Sequence, residues 1–509
     1  MSNKFFINEI YYLTKADKVF GLFMYFYSNM STLLPTTGLD RDEIHQQWEA
    51  YTHDDMNWKE GKFFGYVYYP GDDYYKIIKE AYATFSATNA LNPAVFPSLK
   101  KMENEVVRIT ASLLHGDEQV SGCMTSGGTE SIYMAVRAAK EWSKKNKTTK
   151  NPLMLLAETA HPAFCKAADA MELNYKLIKL NADFQLDIED LKKNLSTDVS
   201  FIVASAPSYP QGAIDDIEAI AKIAKQHKCL LHVDACVGGF ILPFLKMEEV
   251  DLPKFDFEID GVTSMSADVH KYGYAAKGAS VVLYKNANLR KGQFYVKTNW
   301  SGGIYGSPSF MGTRGGGPIA AAWTALHHIG EEGYKRMARE TFEETVFVKN
   351  KIKEELPELK ILGNPKATLF AFSSDVIDVY EVADELALLG WTINRQQLPA
   401  SLHVLLNYIH VGKGELFIND LKTAVKKAKQ FSLLHLKNNI QLSAVKGLKK
   451  LLNEQQFSTL TQKFSGTEDG GKRKAAMYGM MSELSGSGTL NDLVLDYLDK
   501  LYQIDDKNA

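Results

Sequence analysis

Cysteine is scarce in this 509-residue chain, which has four cysteines and no Cys-x-x-Cys pair. Neither a disulfide framework nor a zinc or other metal site is predicted from so few cysteines at these spacings. A reducing compartment such as the cytoplasm fits this usage best, and export as a soluble protein stays open. The cysteines are Cys123, Cys165, Cys229 and Cys236.

A large excess of charge is also missing. The chain has 58 Lys and Arg against 61 Asp and Glu, a formal net charge of −3. This balance gives no reason to expect nucleic acid or an anionic membrane as a partner. The 45% of hydrophobic residues is typical of a globular protein, and the length allows one large domain with appendages or two to three domains.

No apolar run is long enough to cross a membrane. The nearest candidate, VFGLFMYFYSNMSTLL (19–34), is interrupted by Ser28 and Asn29 and is shorter than the ~20 apolar residues that a spanning helix needs. It also lacks the small-residue cleavage site of a signal peptide. We expect an amphipathic helix that packs on a partner subunit, within an N-terminal helical segment of residues 1–60.

Short apolar runs alternate with helical stretches between residues 119 and 285. This alternation predicts an α/β fold with a mostly parallel, seven-stranded sheet covered by helices on both faces. The runs are QVSGCMTS (119–126), LMLLAE (153–158), NYKLIKL (174–180), VSFIVAS (199–205), CLLHVDA (229–235), GVTSMSA (261–267) and GASVVLY (278–284). In such a sheet a ligand binds beyond the carboxyl ends of the strands, so the site is expected there.

The pattern changes after about residue 325. Long helical stretches lead to short strands around KILGNPKATLFAFSS (360–374) and SLHVLLNYIH (401–410). We therefore predict a large domain over residues 61–325 and a smaller α+β domain over residues 326–509. The stretch SGTEDGGKRK (465–474) is typical of a surface loop.

Polar groups follow several of the predicted strands. Gly127, Gly128 and Thr129 open a helical pattern directly after the first run, where free backbone N–H groups and the helix dipole make an anion site. The spacing is neither G-x-G-x-x-G nor a P-loop, so a nucleotide is not indicated, and a tight turn without a ligand is an equal alternative. His161 and Asp234 follow two further strands, where each alone is equally compatible with a structural role.

His270 and Lys271 complete this constellation. A desolvated lysine can form a Schiff base with an aldehyde, and an aspartate can keep a pyridine nitrogen protonated. A histidine can stack on the ring, and the glycine turn can bind its phosphate. These are the four requirements of pyridoxal 5′-phosphate (PLP), which is therefore the predicted cofactor.

The motifs that carry these residues resemble the sphingosine-1-phosphate lyase family, whose members are fold-type-I PLP enzymes. The resemblance is dense over residues 35–325 and thins through the C-terminal domain. The motifs are EGKFFGYVYYPGDD (60–73), NALNPAVFPSLKKMENEVV (89–107), TSGGTES (125–131), APSYPQGAID (206–215), VDACVGGF (233–240), SADVHKYGYAAKG (266–278), GGIYGSP (302–308) and GTRGGG (312–317).

The resemblance implies roles at the cofactor. Lys271 would carry the cofactor covalently, Asp234 would pair with the pyridine nitrogen and His161 would stack on the ring. Gly312 and Thr313 would reach the cofactor phosphate from a second subunit, which implies a homodimer with shared active sites. The groups expected around the cofactor phosphate from the same chain are Gly127, Gly128, Thr129 and His270.

Further residues are implied on the substrate side. Lys277 would hold the substrate phosphate or move protons. Tyr68 and Asn89 would line the substrate site, with Tyr209 from the neighbouring subunit. Ordinary packing for Tyr68, a solvated surface position for Lys277 and a turn cap for Asn89 are the alternatives.

Two positions depart from the family pattern. Asn92 stands where the lyases have the histidine of Asn-Pro-Leu-His-Pro, and Gln211 stands where they have the histidine of Pro-His-Gly. Asn and Gln still form hydrogen bonds to a phosphate, but they carry no positive charge. Either the phosphate is held less strongly in this chain, or the substrate differs.

The resemblance implies cleavage of sphingosine-1-phosphate, or a related phosphorylated long-chain amino alcohol, to a long-chain aldehyde and phosphoethanolamine. A PLP-dependent group II amino-acid decarboxylase is the alternative enzyme, distinguished by a partner for the substrate carboxylate and by release of carbon dioxide. A catalytically silent scaffold with the same fold is the alternative outside the enzymes. The intact set of Lys271, Asp234 and His161 argues against that scaffold.

Overall fold

The computed structural model describes residues 34–437, 474–475, 478–479 and 488–502. These residues form two compact units, of which one holds the described residues up to Asn57 and those after Glu483, and the other is Trp58–Ser482. The first unit contains helices α1 (Arg41–Thr52) and α13 (Gly488–Leu501). Helix α1 begins with a capping box, in which the Asp40 side chain accepts hydrogen bonds from the backbone N–H groups of Asp42 and Glu43.

A seven-stranded sheet organises the second unit, in the order β1-β7-β6-β5-β4-β2-β3. Strands β2 to β6 pair in parallel, and β7 is antiparallel to both of its neighbours. All seven predicted strands and the mostly parallel sheet are therefore confirmed. The strands are β1 (Ser121–Thr125), β2 (Leu153–Ala157), β3 (Asn174–Ile178), β4 (Val199–Ser205), β5 (Leu230–Asp234), β6 (Ser264–Ala267) and β7 (Ser280–Tyr284).

Away from the exposed edge strand β3, both faces of this sheet are buried. Successive side chains of a strand point to opposite faces and therefore enter two different clusters. Leu155 and Ile202 belong to one hydrophobic cluster, whereas Met154, Leu156 and Phe201 belong to another. Helices that precede the first strand or connect the strands surround this sheet. They are α2 (Asp72–Thr84), α3 (Pro97–Leu113), α4 (Gly128–Asn146), α5 (Ala163–Ala170), α6 (Ile188–Lys193), α7 (Ile217–Gln226), α8 (Leu242–Met247) and α9 (Ala287–Arg290).

A second sheet forms a smaller α+β region of the same unit. Its strands are antiparallel in the order β10-β11-β13-β12. It packs with helices around a hydrophobic cluster of its own. The elements are α10 (Gly316–Glu355), β10 (Lys360–Ile361), β11 (Leu369–Ser373), α11 (Val379–Leu388), β12 (Asn394–Gln397), β13 (Ala400–Leu405) and α12 (Gly414–Lys437).

Two connections join the large sheet to this region. Strands β8 (Tyr295–Trp300) and β9 (Gly303–Ser307) form an exposed hairpin. Helix α10 then runs across residue 325, where the sequence predicts a domain boundary, and is kinked at Gly330, whose φ of 66° is not helical. A boundary at residue 325 would therefore lie inside a helix, and the division into a large and a small domain stays a prediction.

Two sequence predictions lie outside the described residues. They are the N-terminal helix over residues 19–34, of which only Leu34 is described, and the surface loop over residues 465–474, of which only Lys474 is described. Among the helices that the structure describes, none combines the length and the apolar character needed to cross a membrane.

Candidate active site

The glycine turn after β1 is shaped for a small anion. Gly127 precedes the 19-residue helix α4 without any side-chain cap, so the first backbone N–H groups of the helix remain available to a ligand. A Cβ atom on Gly128 would lie 2.8 Å and 2.9 Å from the carboxylate oxygens of Asp268 and 2.9 Å from Sγ of Cys236. The turn therefore requires glycine at this position, and its free donors fit the phosphate of PLP.

Asp234 ends β5 and is held by two hydrogen bonds. Its Oδ1 accepts one from the backbone N–H of Cys236 at 3.0 Å and one from the hydroxyl of Ser266 at 3.2 Å. Ser266 also bonds Nε2 of the buried His232 at 3.2 Å. Burial lowers the pKa of His232 to about 4, so His232 is neutral at physiological pH. Asp234 is 8% exposed, so a fixed carboxylate is available to a pyridine nitrogen.

Lys271 forms an ion pair with Asp268, a residue that the sequence-based prediction missed. The Nζ of Lys271 lies 2.9 Å from Oδ2 of Asp268, whose side chain is 2% exposed. Burial disfavours both charges, but their attraction outweighs it, so the pKa of Lys271 is raised and the pKa of Asp268 is lowered. A carboxylate three residues before the lysine was the available sequence signal. The resting amine is therefore an ammonium.

His270 lies beside the same carboxylate. Its Nε2 is 3.7 Å from Oδ2 of Asp268, and its Cε1 would be 3.5 Å from a Cβ atom on Gly127. Burial lowers the pKa of His270, against the opposing charge of Asp268. The structure thus brings His270, Lys271 and the glycine turn together, as the sequence predicts.

Lys277 and Tyr68 lie together near Lys271. The Nζ of Lys277 is 5.1 Å from the ring centroid of Tyr68 and donates a hydrogen bond to the carbonyl of His270 at 3.3 Å. Burial and the charge of Lys271 lower the pKa of Lys277 to about 8. Tyr68 is 8% exposed and packs edge-to-face on Tyr272. Lys277 is exposed in this chain, so a solvated surface position remains the alternative and a role at the substrate stays a prediction.

His161 lies on the loop between β2 and α5, where its Nδ1 accepts a hydrogen bond from the backbone N–H of Ala163 at 3.1 Å. This bond holds the orientation of the imidazole. The imidazole is exposed in this chain, which leaves a face for stacking. Stacking of His161 on the cofactor ring stays a prediction.

Tyr209 reaches the site from the loop after β4. In the same chain, the charge of Lys271 lowers the pKa of Tyr209, and Tyr209 in turn raises the pKa of Tyr68. A chain therefore has its own Tyr209 near its own Lys271. A contribution of Tyr209 from a neighbouring subunit stays a prediction.

Asn89 and Asn92 make local backbone contacts. Oδ1 of Asn89 accepts hydrogen bonds from the backbone N–H groups of Leu91 at 2.9 Å and Arg314 at 3.2 Å. Oδ1 of Asn92 accepts one from Ala94 at 3.0 Å. The turn-cap alternative for Asn89 thus has direct structural support, and substrate binding by either residue stays a prediction.

Gly312 and Thr313 belong to an exposed loop between β9 and α10. Two acidic residues missed by the sequence-based prediction fix this loop. Glu130, in the first turn of α4, accepts hydrogen bonds from the backbone N–H groups of Phe310 and Met311 at 2.9 Å and 3.2 Å. Glu103 binds both guanidinium NH groups of Arg314, at 2.7 Å and 2.9 Å. The loop is therefore tied to the helix that begins at the glycine turn.

One group of side chains elsewhere has metal-ligand spacing. Ligand atoms of His115, Asp256 and Glu258 lie within 4.8 Å of one another. Lys246 and Lys254 already neutralise Glu258, at 2.7 Å and 3.6 Å. We assign no metal site to these residues.

The arrangement defines the class of protein. The Pyridoxal-dependent decarboxylase conserved domain matches residues 34–375. This match agrees with a seven-stranded sheet that presents a lysine, an aspartate and a glycine turn at one edge. The chain is therefore a PLP-dependent enzyme of fold type I, with PLP as its cofactor.

Individual relatives narrow this class. Sphingosine-1-phosphate lyase 1 of Rattus norvegicus is 40% identical over 395 residues, which are 77% of this chain and 69% of the rat protein. The solved structure of a Burkholderia pseudomallei sphingosine-1-phosphate lyase is 35% identical, with a TM-score of 0.77 over 82% of this chain and 98% of that chain. The chain belongs to the sphingosine-1-phosphate lyase family.

A more distant neighbour shares only the fold. Glutamate decarboxylase of Lactobacillus brevis is 19% identical, with a TM-score of 0.69 over 79% of this chain and 95% of that chain. The lyases and the decarboxylases therefore share one fold. What distinguishes them must be the residues that contact the substrate.

Proposed function

We propose that this enzyme cleaves sphingosine-1-phosphate, or a related phosphorylated long-chain amino alcohol, to a long-chain aldehyde and phosphoethanolamine. Family membership supports this reaction. The observation that carries it is the second amine, Lys277, beside Lys271 and over the ring of Tyr68. An amine with a pKa near 8 suits a phosphate or a proton transfer. Because an ammonium also pairs with a carboxylate, release of carbon dioxide is what distinguishes the decarboxylase.

In this reaction one carbon–carbon bond breaks. The hydroxyl next to the amine-bearing carbon loses its proton, and its carbon becomes the aldehyde. The electron pair of the broken bond stays on the amine-bearing carbon, which then takes up a proton. When bound, PLP supplies the electron sink for that pair. Bond choice depends on orientation, since only a bond held perpendicular to the cofactor ring overlaps with its π system.

The residues at the cofactor have distinct proposed roles. Lys271 would hold the cofactor covalently, and Asp268 would pair with its amine whenever that amine is free. Asp234 holds the proton on the pyridine nitrogen and His161 covers the ring. The groups proposed to bind the cofactor phosphate within the chain are Gly127, Gly128, Thr129 and His270.

The remaining residues are proposed to act on the substrate. Lys277 binds its phosphate, and Tyr68 and Tyr209 present hydroxyls to it. Asn89 and Asn92 contribute amide groups at the rim. Asn92 and Gln211 replace two histidines of the family. The identity of the substrate tail and the strength of phosphate binding therefore belong to the proposal and not to what family membership shows.

We propose that the enzyme is a homodimer in which Gly312 and Thr313 approach the neighbouring subunit's cofactor phosphate. The loop that carries Gly312 and Thr313 comes after the β8–β9 hairpin in the chain, and this part of the chain exposes apolar side chains. Val296, Ile304 and Phe310 are 62%, 81% and 72% exposed. A patch of this kind on a folded protein is typical of a protein interface. The cytoplasmic location stays a prediction from cysteine usage.

The test is a product assay. The PLP-loaded protein is mixed with sphingosine-1-phosphate, and the long-chain aldehyde and phosphoethanolamine are measured by mass spectrometry. We expect both products in equal amounts. Bound PLP without these products would reject the proposed substrate, and release of carbon dioxide from an amino acid would establish the decarboxylase instead.

The proposed role of Lys277 predicts that KM depends on pH. With a pKa of about 8, Lys277 is an ammonium below this pH and neutral above it. If it binds the substrate phosphate, KM rises as the pH passes 8, whereas Lys277→Arg, whose guanidinium stays charged, keeps a constant KM between about pH 7 and 10. KM is measured across that range, with Lys176→Arg on the exposed strand β3 as the control. A constant KM with a changing kcat in the unaltered protein would assign Lys277 to proton transfer.

A further inference from the structure

A chain of hydrogen bonds from the small sheet ends at the hydroxyl of Tyr209. Tyr66 donates to Oδ1 of Asn394, the first residue of β12, at 2.7 Å. Nδ2 of Asn394 donates to the carbonyl oxygen of Phe64 at 3.3 Å and to Oη of Tyr209 at 3.1 Å. Asn394 thus connects the segment that carries Tyr68 with the loop that carries Tyr209.

The hydrogen positions in this chain follow from chemistry. The carbonyl oxygen of Phe64 can only accept, so the amide nitrogen of Asn394 must face it, and Oδ1 must face Tyr66. The same nitrogen donates to Tyr209, so Oη of Tyr209 is an acceptor in this bond. The hydroxyl hydrogen of Tyr209 is therefore directed away from Asn394 and is free to donate to another group.

The position of Tyr209 is fixed by the same sheet. Its ring stacks on the imidazole of His403 in β13, with centroids 4.3 Å apart. Nε2 of Gln396 donates to the carbonyl of Pro210 at 2.7 Å. A Cβ atom on Gly212 would lie 2.3 Å from the carbonyl oxygen of Leu369 in β11. The loop therefore packs against β11, β12 and β13, and the ring of Tyr209 cannot swing freely.

The charges around Tyr209 are consistent with a donor that faces the active site. Burial raises its pKa, while the hydrogen bond from Asn394 and the charge of Lys271 oppose this rise. Tyr209 remains 37% exposed, so its hydroxyl is accessible to a substrate. The titratable groups that face it are Tyr66, Tyr68, Lys271 and His403.

We propose that Asn394 is a positioning residue that makes Tyr209 a hydrogen-bond donor to an oxygen of the substrate. Tyr66 locks the amide of Asn394 in the required orientation. The inference rests on the proposed lyase function, which supplies the phosphorylated amino alcohol with its acceptor oxygens. It assigns to the small sheet a part in orienting the substrate that acts through Tyr209.

The first test measures the pKa of the Tyr209 phenol without substrate. The PLP-loaded protein is labelled with fluorotyrosine, and the signal of Tyr209 is assigned by its absence from Tyr209→Phe. We expect Asn394→Leu to raise this pKa, because a donor to the phenolate is lost, and Asn394→Asp to raise it further through its negative charge. An unchanged pKa in both variants would overturn the inference, whatever the substrate of the enzyme is.

The second test is a double-mutant cycle on turnover. Asn394→Asp accepts a hydrogen bond from Tyr209 and turns its hydrogen away from the substrate, so kcat/KM should fall about tenfold, the effect of one lost hydrogen bond. Adding Asn394→Asp to Tyr209→Phe should cost little more, because the two residues act as one unit. Fully additive losses would show a merely structural role and overturn the inference.

Controls separate folding from positioning. Tyr66→Phe removes one hydroxyl from a side chain that is 61% exposed, and it should give a smaller change in the same direction. Asn419→Asp makes the same charge change on the exposed side of α12 and should leave turnover unchanged. Retained visible absorbance of the bound cofactor shows that each variant is folded and loaded. An inactive parent protein with a shifted Tyr209 pKa would reject the substrate but not the positioning role.

Discussion

Replacing Lys271 by alanine should remove both the covalently bound cofactor and the activity. No neighbouring amine can replace Lys271 directly, because Lys277 is placed over Tyr68 and bonded to the carbonyl of His270. We expect turnover to fall by more than ~10³-fold, the scale of loss when a covalent catalyst is deleted. Borohydride treatment followed by intact mass measurement would show the cofactor fixed to the unaltered protein and absent from Lys271→Ala.

The same substitution removes the lysine partner of the buried Asp268 carboxylate and leaves it with His270, whose Nε2 is 3.7 Å away. Removing one partner of a buried pair costs up to about 3–5 kcal/mol. Lys271→Arg controls for this loss, because its guanidinium keeps the charge but does not react with the aldehyde. We expect Lys271→Arg to be as stable as the parent protein and as inactive as Lys271→Ala. Lys285→Ala, which removes an exposed lysine paired with Asp260 at 3.0 Å, should keep full activity. Turnover retained in Lys271→Arg would contradict the assignment.

Replacing Asp234 by asparagine should have the next largest effect. The amide oxygen can still accept from the backbone N–H of Cys236 and from Ser266, which bond Asp234 at 3.0 Å and 3.2 Å. The local fold is therefore preserved, while the negative charge that keeps the pyridine nitrogen protonated is lost. We expect turnover to fall about 10²- to 10³-fold, as for the loss of one preorganised electrostatic partner.

This prediction is checked by kinetics together with a spectrophotometric pH titration of the bound cofactor. The pyridine nitrogen of the bound cofactor should lose its proton at a lower pH in Asp234→Asn than in the parent. The control is Asp169→Asn on the exposed side of α5, for which neither quantity should change. If Asp234→Asn keeps parental turnover while the cofactor remains bound, another group protonates the ring.

The sequence by itself determined the large domain. Apart from the exposed edge strand β3, the strands of the central sheet are short apolar runs bounded by turn residues, and burial on both sheet faces makes such runs recognisable. Asp234, Lys271 and the glycine turn follow directly from these runs, because parallel strands deliver their carboxyl ends to one edge. The cofactor could therefore be predicted without any tertiary structure.

The partners of these residues were decided only by the tertiary structure. The ion pair of Glu103 with Arg314 and the bond from Asn394 to Tyr209 join residues that are 211 and 185 positions apart. No local pattern marks such a pair, since each member alone is an ordinary polar residue of a helix, loop or strand. Chain topology brings the two together, and burial makes their contact strong. The sequence thus identifies the groups that meet the cofactor, and packing determines the groups that orient them.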